Sequence, residues 1–434
     1  MYESKAIFTY LPTYLPTYLP IYILIVLFVS GCSTAPTKTT SDFKIDTKTD
    51  TKVTKINFQG FSLTGEQSTN EVNFPYTSKL WKTLDKTILD DAARAALKSV
   101  HNPKLEITTE RNELKNDDAI SAAIMLDSED ISQEKIGKRF KVAITLRGQL
   151  ILFNLQKMTV ISSYPLTAQL LDAPDHELNN EELAALVQEL YINKNPKKKS
   201  FITEIVMRLN DITIAPSYKL KIQTIKVTVP DALANLMKKQ NQTNKDMEAL
   251  IARSFDKYLS KNQHVSMLPF VPETKNKSDL AVNGDKTGHT WKDQSISRLA
   301  LSLSDGSRFQ LEIPTPDYIV SLELKKLIKE KVGENSVDNS FVYVSKINIK
   351  SEQQQMGSTS IDLDFRYALP VTISKSINNP DDKSRYIESI MESLRIFTEQ
   401  INKPDSDWLD TWIESKSDPE EQFEGFLKVL NHCK

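Results

Sequence analysis

Two aspartates two residues apart come nearest to a catalytic pair in this sequence. Asp362 and Asp364 lie in an alternating apolar segment, so a strand would place both carboxylates on one face. Paired carboxylates can act as general acid and general base. However, Arg366 continues the same row, and a half-buried sheet presents such a row of charges to water without any catalytic role. The pattern favours a solvated sheet face, and Asp90 and Asp91 are interpreted in the same way on a helix.

Sequence motifs for other chemistries are absent or incomplete. The chain lacks G-x-G-x-x-G, G-x-S-x-G and H-E-x-x-H, and residues 284–289 place histidine where a phosphate-binding loop needs lysine. Zinc needs about four ligands, whereas the histidines do not cluster in the sequence: His101, His176, His264, His289 and His432. The sequence therefore predicts no catalytic residue, no metal and no cofactor, and it favours a protein that is not an enzyme.

One cysteine lies where its thiol would be modified. Cys32 follows Val29-Ser30-Gly31 and the nine-residue apolar run 21–29, which is preceded by prolines and is short for a dedicated spanning helix. This segment resembles the leader of a bacterial lipoprotein, in which a peptidase cuts before the cysteine and the thiol carries diacylglycerol. The resemblance implies a signal peptide over residues 1–31 and lipidation of Cys32. The alternative is an uncleaved anchor, because only Lys5 and the amino terminus supply positive charge before the run.

The residues after Cys32 indicate where the body would lie. Ser33 stands where an aspartate usually retains diderm lipoproteins at the inner membrane, so the resemblance implies the outer membrane, with the body facing the periplasm. Residues 33–50 are rich in Thr, Lys, Ser and Asp and indicate a flexible tether within the segment 32–52. We expect two partners: the membrane, through the lipid on Cys32, and an envelope protein of unknown identity.

Bulk composition limits the remaining possibilities. Removing 31 of 434 residues leaves 403, which is enough for two or three domains. A net charge of -2, from 55 basic and 57 acidic residues, gives no basic face for nucleic acid. With Cys32 lipidated, Cys433 has no intrachain disulfide partner. Cys433 could pair with another chain, but a cysteine near the end of a helix is expected to be simply tolerated.

Apolar periodicity predicts an α+β fold of two related α-β-β-α blocks with antiparallel sheets. The first block, residues 53–196, has an extended segment, a helix starting at Ser78, two strands and a second helix capped near Asn179 or Asn180: 53–61, 78–100, 140–146, 158–171 and 183–191. Pro165-Leu166-Thr167 ends a strand before Pro174-Asp175 and a helix, just as Pro370-Val371-Thr372 precedes Pro380-Asp381 and a helix. This agreement indicates an internal duplication.

The second block, residues 197–403, contains the clearest local signal. Apolar residues alternate on both sides of Asp305-Gly306, which predicts a β-hairpin. Its other predicted elements are a strand, a helix, a pair of strands and a closing helix: 218–229, 247–259, 341–349, 361–367 and 387–401. A C-terminal helical segment, 404–434, carries Trp408 and Trp412 one helical turn apart. These tryptophans are expected to pack on the body, although they could instead bind a partner.

The order of elements resembles the α/β domains of the curli-secretion channel lipoprotein and of the TolB amino-terminal domain. Residues 317–320, Asp-Tyr-Ile-Val, resemble a strand that those families place before the sheet core. The resemblance implies an α/β fold. It does not extend to a channel function, because the leucines of the Asp-Gly hairpin are needed for the core of their own block and no membrane-inserting hairpin is evident.

Together these observations predict a lipid-anchored envelope protein that acts as a periplasmic scaffold, assembly or interaction component. Two alternatives stay open. One is a hydrolase whose site is assembled from residues outside any motif. The other is a small-ligand-binding lipoprotein, which would have a closed apolar pocket between the two blocks.

Overall fold

The computed structural model describes residues 53–63, 74–83, 87–109, 120–136, 139–193, 199–212, 214, 219–239, 243–270, 298–354, 357, 359–375, 382–402, 404–415 and 417–434. The helices in this part of the chain are α1 (Pro75–Thr83), α2 (Ile88–Leu97), α3 (Asn180–Tyr191), α4 (Phe201–Asp211), α5 (Asp231–Lys239), α6 (Asn244–Gln263), α7 (Asp382–Gln400), α8 (Ser406–Trp412) and α9 (Pro419–His432).

The strands are β1 (Thr54–Leu63), β2 (Leu105–Thr108), β3 (Ile120–Ile136), β4 (Arg139–Asn154), β5 (Thr159–Asp172), β6 (Leu220–Val227), β7 (Arg298–Ser302), β8 (Arg308–Glu312), β9 (Tyr318–Glu334), β10 (Asp338–Gln353), β11 (Thr359–Ser374) and β12 (Ile413–Ser415). They form two sheets, with strand orders β2-β1-β3-β4-β5-β8-β7 and β12-β11-β10-β9-β6. The predicted α+β class is confirmed.

Apart from β2, the hairpin β7–β8, α8 and β12, the two sheets are built from the same succession of elements. In the first block β1 is followed by two helices, the antiparallel meander β3-β4-β5 and two more helices. In the second block β6 is followed by two helices, the meander β9-β10-β11, and then α7 and α9. Each block opens with a strand that runs parallel to the first strand of its meander, so the sheets are mixed. The alternating apolar residues of the meander strands explain their half-buried packing.

The two blocks also share a β-bulge at the same position. The parallel pairing of β1 with β3 ends at Leu126, and the next residue, Asp127, is skipped in the β3–β4 register. The pairing of β6 with β9 ends at Leu324, and the next residue, Lys325, is skipped in the β9–β10 register. A bulge leaves one residue outside the ladder and redirects its side chain. The two blocks therefore place a charged residue at the corresponding structural position, with opposite sign.

Separate apolar cores support the two sheets. One face of the first sheet packs against α1 to α4, and the second sheet packs against α5 to α9. The hairpin β7–β8 covers part of the other face of the first sheet. Both α4 and this hairpin follow residue 196 but pack on the first sheet, whereas residues 404–434 contribute to the second core. Independent folding of domains that divide at residue 196 stays a prediction.

Local sequence explains several helix starts. Asn179 accepts the backbone N–H groups of Glu181 and Glu182 and caps α3, as the sequence predicts. The start of α1 differs, because this helix begins at Pro75 rather than at Ser78. Its first N–H groups, those of Tyr76 and Thr77, donate to the Glu129 carboxylate at 2.9 Å each. A cap supplied by β3 leaves no signal near the helix itself.

Candidate functional site

The bulge at Asp127 creates a polar site directly after the apolar run 122–126 of β3. The side-chain amide of Gln149, on β4, donates to Asp127 Oδ2 at 2.8 Å. Arg147 is two residues from Gln149, so strand alternation places both on the same face of the sheet. Core residues of β4 such as Leu146 and Leu150 occupy the opposite face, against α1 to α4. The polar face is therefore the one turned away from the first core.

Helix α6 supplies the other half of the site. Arg253, Asp256 and Lys257 are separated by three and four residues, which places them on one side of the helix. The apolar side of α6 is buried in the second core. Just after the helix, Met267 and Ser163 of β5 exchange backbone hydrogen bonds of 2.6 and 3.2 Å. This bridge ties the chain that leaves α6 to the edge of the first sheet.

A cavity of about 80 Å³ lies between the polar sheet face and α6. Its charged and amide lining comes from both sides: Asp127, Arg147, Gln149, Arg253, Asp256 and Lys257. Gln169, which also lines the cavity, is exposed, so the cavity reaches the protein surface. Polar lining distinguishes it from the closed apolar pocket that the small-ligand alternative predicted.

Several polar atoms of the residues that line this cavity have no hydrogen-bond partner among the described residues. Asp256 and Gln149 are each only 2 % exposed, yet Asp256 Oδ1 and Gln149 Oε1 have no hydrogen-bond partner in the described part of the chain. The same holds for Arg253 Nε. Buried polar atoms in native proteins nearly always have a partner. The cavity therefore offers both acceptors and donors to a polar occupant.

Burial and neighbouring charges perturb the titratable groups of the cavity. Burial, reinforced by the Asp127 charge, raises the pKa of Asp256 well above its usual range, although Arg208 opposes this effect. Burial also raises the pKa of Asp127, against the attraction of Arg253. Burial and then repulsion by Arg147 lower the pKa of Lys257 to about 8. Groups perturbed in this way, gathered in one cleft, mark a candidate functional site.

The equivalent position in the second block carries a cluster of paired charges. Lys325 Nζ binds Asp364 Oδ1 at 2.6 Å, and Lys346 binds the other oxygen of Asp364 at 3.1 Å and Glu414 at 2.6 Å. Asp364 lies opposite Asn348 in the register, whereas Pro165 holds the matching place opposite Gln149. The second cluster is thus closed within its own sheet. The first combines residues of its sheet with charged residues of α6.

Of the residues that the sequence analysis singled out, Cys32 and the tether lie outside the described residues. The acidic pair of β11 is only partly solvated, because Asp362 is exposed but the Asp364 side chain is 18 % exposed. Although burial acts to raise it, hydrogen bonds from Lys325, Asn348 and Lys346 hold the pKa of Asp364 below its usual range. These contacts give Asp364 a structural role in joining strands.

The structure corrects the prediction that Asp90 is solvated. The sequence suggested a solvated helix face for Asp90 and Asp91, but Asp90 is only 2 % exposed, whereas Asp91 is exposed. Asp90 accepts the backbone N–H of Phe61 at 2.9 Å and the hydroxyl of Ser304 in the β7–β8 turn. The hairpin brings this second donor from more than two hundred residues away, so the helix pattern could not reveal it.

The remaining candidate residues are the histidines and Cys433. His101, His176 and His264 are exposed, and His289 lies outside the described residues. In the part of the chain that the structure covers, no group of three or more His, Cys, Asp or Glu side chains could hold a metal ion. The Cys433 thiol is buried, and burial, with the Asp317 charge, raises its pKa to about 12. A buried thiol is poorly placed to pair with another chain.

The two tryptophans of α8 pack on the body, as predicted. Trp408 stacks on Phe365 with ring centroids 5.5 Å apart, and Trp412 contacts Tyr367 with centroids 5.6 Å apart. Both partner rings belong to β11. The aromatic residues therefore attach the C-terminal segment to the second sheet.

Sequence reasoning missed Asp127 and Asp256. A weak signal exists for each: Asp127 directly follows the apolar run 122–126, and Asp256 follows Phe255 on the border of an apolar helix face. Neither signal says that the two acids line one cavity, because this depends on how α6 lies on the first sheet.

No protein-family model matches this chain, and no curated protein matches it. Among solved structures, a minor lipoprotein from Acinetobacter baumannii is similar at 12 % identity over 36 % of this chain and 88 % of its own, with a TM-score of 0.20. A Xanthomonas campestris protein described as DUF330 is similar at 11 % identity over 21 % of this chain and 46 % of its own, with a TM-score of 0.13. Likenesses this low carry no inference about function.

Among the helices of the described residues, none has both the length and the apolar character that crossing a bilayer requires.

Proposed function

We propose that this chain is an outer-membrane lipoprotein whose body faces the periplasm and serves as an interaction or assembly component. Lipidation of Cys32, including attachment of palmitate, would hold the protein at the membrane. Residues 33–50 would form a flexible tether between the membrane and the body. Two acyl chains anchor a protein far more stably than one. Support for the anchor comes from the sequence around Val29–Cys32.

The observation that carries the interaction role is the open outer edge of β5 beside a groove. No described strand pairs with residues 167–172 on that edge. Next to it, β5 and α3 line a groove of about 350 Å³ that includes Leu170, Leu186 and Leu190. Leu171, at the same place, is 73 % exposed. An open edge offers main-chain hydrogen bonds to an extended partner segment, and apolar side chains beside it offer specificity.

The second block repeats this feature. On the outer edge of β11, β12 pairs only with residues 363–365, and no described strand pairs with residues 366–374. Two related edges on one tethered body suit a scaffold that engages extended segments of envelope proteins. This role needs no catalytic group.

The anchor is tested by metabolic labelling with an alkyne-tagged fatty acid, followed by membrane fractionation. We expect label on the wild-type protein and on Cys433→Ala, which removes a buried thiol, but none on Cys32→Ala. Cys32→Ala should also leave the outer-membrane fraction. Label that persists on Cys32→Ala would show that Cys32 is not the lipidation site.

The interaction role is tested by crosslinking in cells and mass spectrometry of the captured proteins. Leu171→Asp introduces a charge at the open edge, and Val332→Asp is a matched control because Val332 is 59 % exposed on another strand, β9. We expect specific envelope proteins to be captured by the wild type and by Val332→Asp, and to be lost with Leu171→Asp. Equal capture by all three would reject the β5 edge as the binding surface.

A further inference from the structure

The cavity between β3–β5 and α6 carries an inference that goes beyond the proposed interaction role and does not depend on it. The polar groups that line it are of two kinds. Arg253 and Lys257 supply positive donors, while Asp256 and Gln149 supply acceptors that are almost fully buried. A pure anion would satisfy only the first kind, and a pure cation only the second.

The size of the cavity narrows the choice of ligand. Each water-sized group needs about 10–15 Å³ by this measure of volume, so about 80 Å³ has room for roughly five to eight such groups. The headgroup of an α-amino acid has five non-hydrogen atoms and carries one ammonium and one carboxylate. Exposed Gln169 at the lining gives a side chain or a longer stem a route to the surface.

We propose that this cavity binds the zwitterionic headgroup of an α-amino acid, with Arg253 and Lys257 on the carboxylate and Asp256 and Gln149 on the ammonium. A bound ammonium would supply the donor that Asp256 Oδ1 and Gln149 Oε1 lack among the described residues. It would also favour the ionised form of Asp256, whose pKa burial otherwise raises. Charge-assisted hydrogen bonds of this kind are the strong ones.

The second block supplies an internal contrast. There the bulge residue Lys325 and its neighbour Lys346 are neutralised by Asp364 and Glu414, so no comparable set of unused groups is left at that position. In the first block Pro165 holds the register position of Asp364, so this position supplies no charge there. The two blocks thus differ at this position: one cluster is closed, and the other can receive a ligand.

Isothermal titration of the full chain with glycine, from about 1 µM to about 10 mM, tests the proposal, because the affinity ceiling for a ligand of five atoms lies in the low-micromolar range. We expect glycine to bind, and acetate, methylammonium, N-acetylglycine and glycinamide each to bind at least about tenfold more weakly, since each lacks one charge. Nε-acetyl-lysine separates two sources of the headgroup: binding as tight as that of glycine indicates a headgroup on a larger molecule, whereas weaker binding indicates a free small amino acid.

Two substitutions test whether glycine binds in this cavity. Arg253→Gln and Asp256→Asn should each weaken glycine binding about tenfold or more. Lys346→Gln, at the matching register position of the second block, should leave it unchanged, and thermal unfolding of each variant checks that the fold is retained. The proposal is overturned if glycine gives no heat over the whole range, if acetate or methylammonium binds as tightly, or if both cavity variants bind glycine like the wild type.

Discussion

Replacing Asp256 with asparagine should stabilise the protein increasingly as the pH rises. Burial and the Asp127 charge raise the pKa of Asp256 in the folded chain well above the ordinary value of 3.8. The folded state therefore binds this proton more tightly than the unfolded state does, and the contribution of Asp256 to stability falls as the pH rises from 3.8 to the folded pKa. Within that window the wild type loses about 1.4 kcal/mol per pH unit relative to the variant.

Urea unfolding followed by tryptophan fluorescence, from about pH 4 to about pH 8, measures this difference in the free energy of unfolding. Asparagine keeps the shape of the side chain but cannot ionise, so the variant isolates the buried charge. Asp410→Asn, on an exposed position of α8, is the matched control and should show no such trend. A difference that is independent of pH, or one that shrinks as the pH rises, would refute the burial of an ionisable Asp256 in this cavity.

Two further substitutions test the contacts around the β7–β8 hairpin. Asp90→Ala should lower the free energy of unfolding by about 1–3 kcal/mol because it removes both buried hydrogen bonds, whereas Asp91→Ala should change it by less than about 0.5 kcal/mol. Gly60→Ala should cost more than about 1 kcal/mol, because φ is +129° there and a Cβ would lie 2.8 Å from Asp90 Oδ2. Gly333→Ala, whose Cβ would meet nothing closer than 3.9 Å, should be nearly neutral. Urea titrations check all four, and equal effects within either pair would contradict the described packing.

Sequence alone determined the features that depend on residues close together in the chain. The Asp305-Gly306 turn forms with φ of +89° at Gly306, and the alternating segments around it pair as β7 and β8. Asn179 caps α3 through a contact only three residues long. The order of elements that suggested a duplication was readable as well, because hydrophobic periodicity reports each strand and helix locally.

The tertiary structure decided which charged residues are buried and which groups they meet. Asp90 receives its second hydrogen bond from Ser304, Glu129 of β3 caps α1, and Asp127 shares a cavity with Asp256 of α6. In each case an acid on one element is satisfied or perturbed by groups far away in the sequence. Because the ionisation of a carboxyl depends on its burial and on nearby charges, its chemical role exists only once the two blocks have packed together.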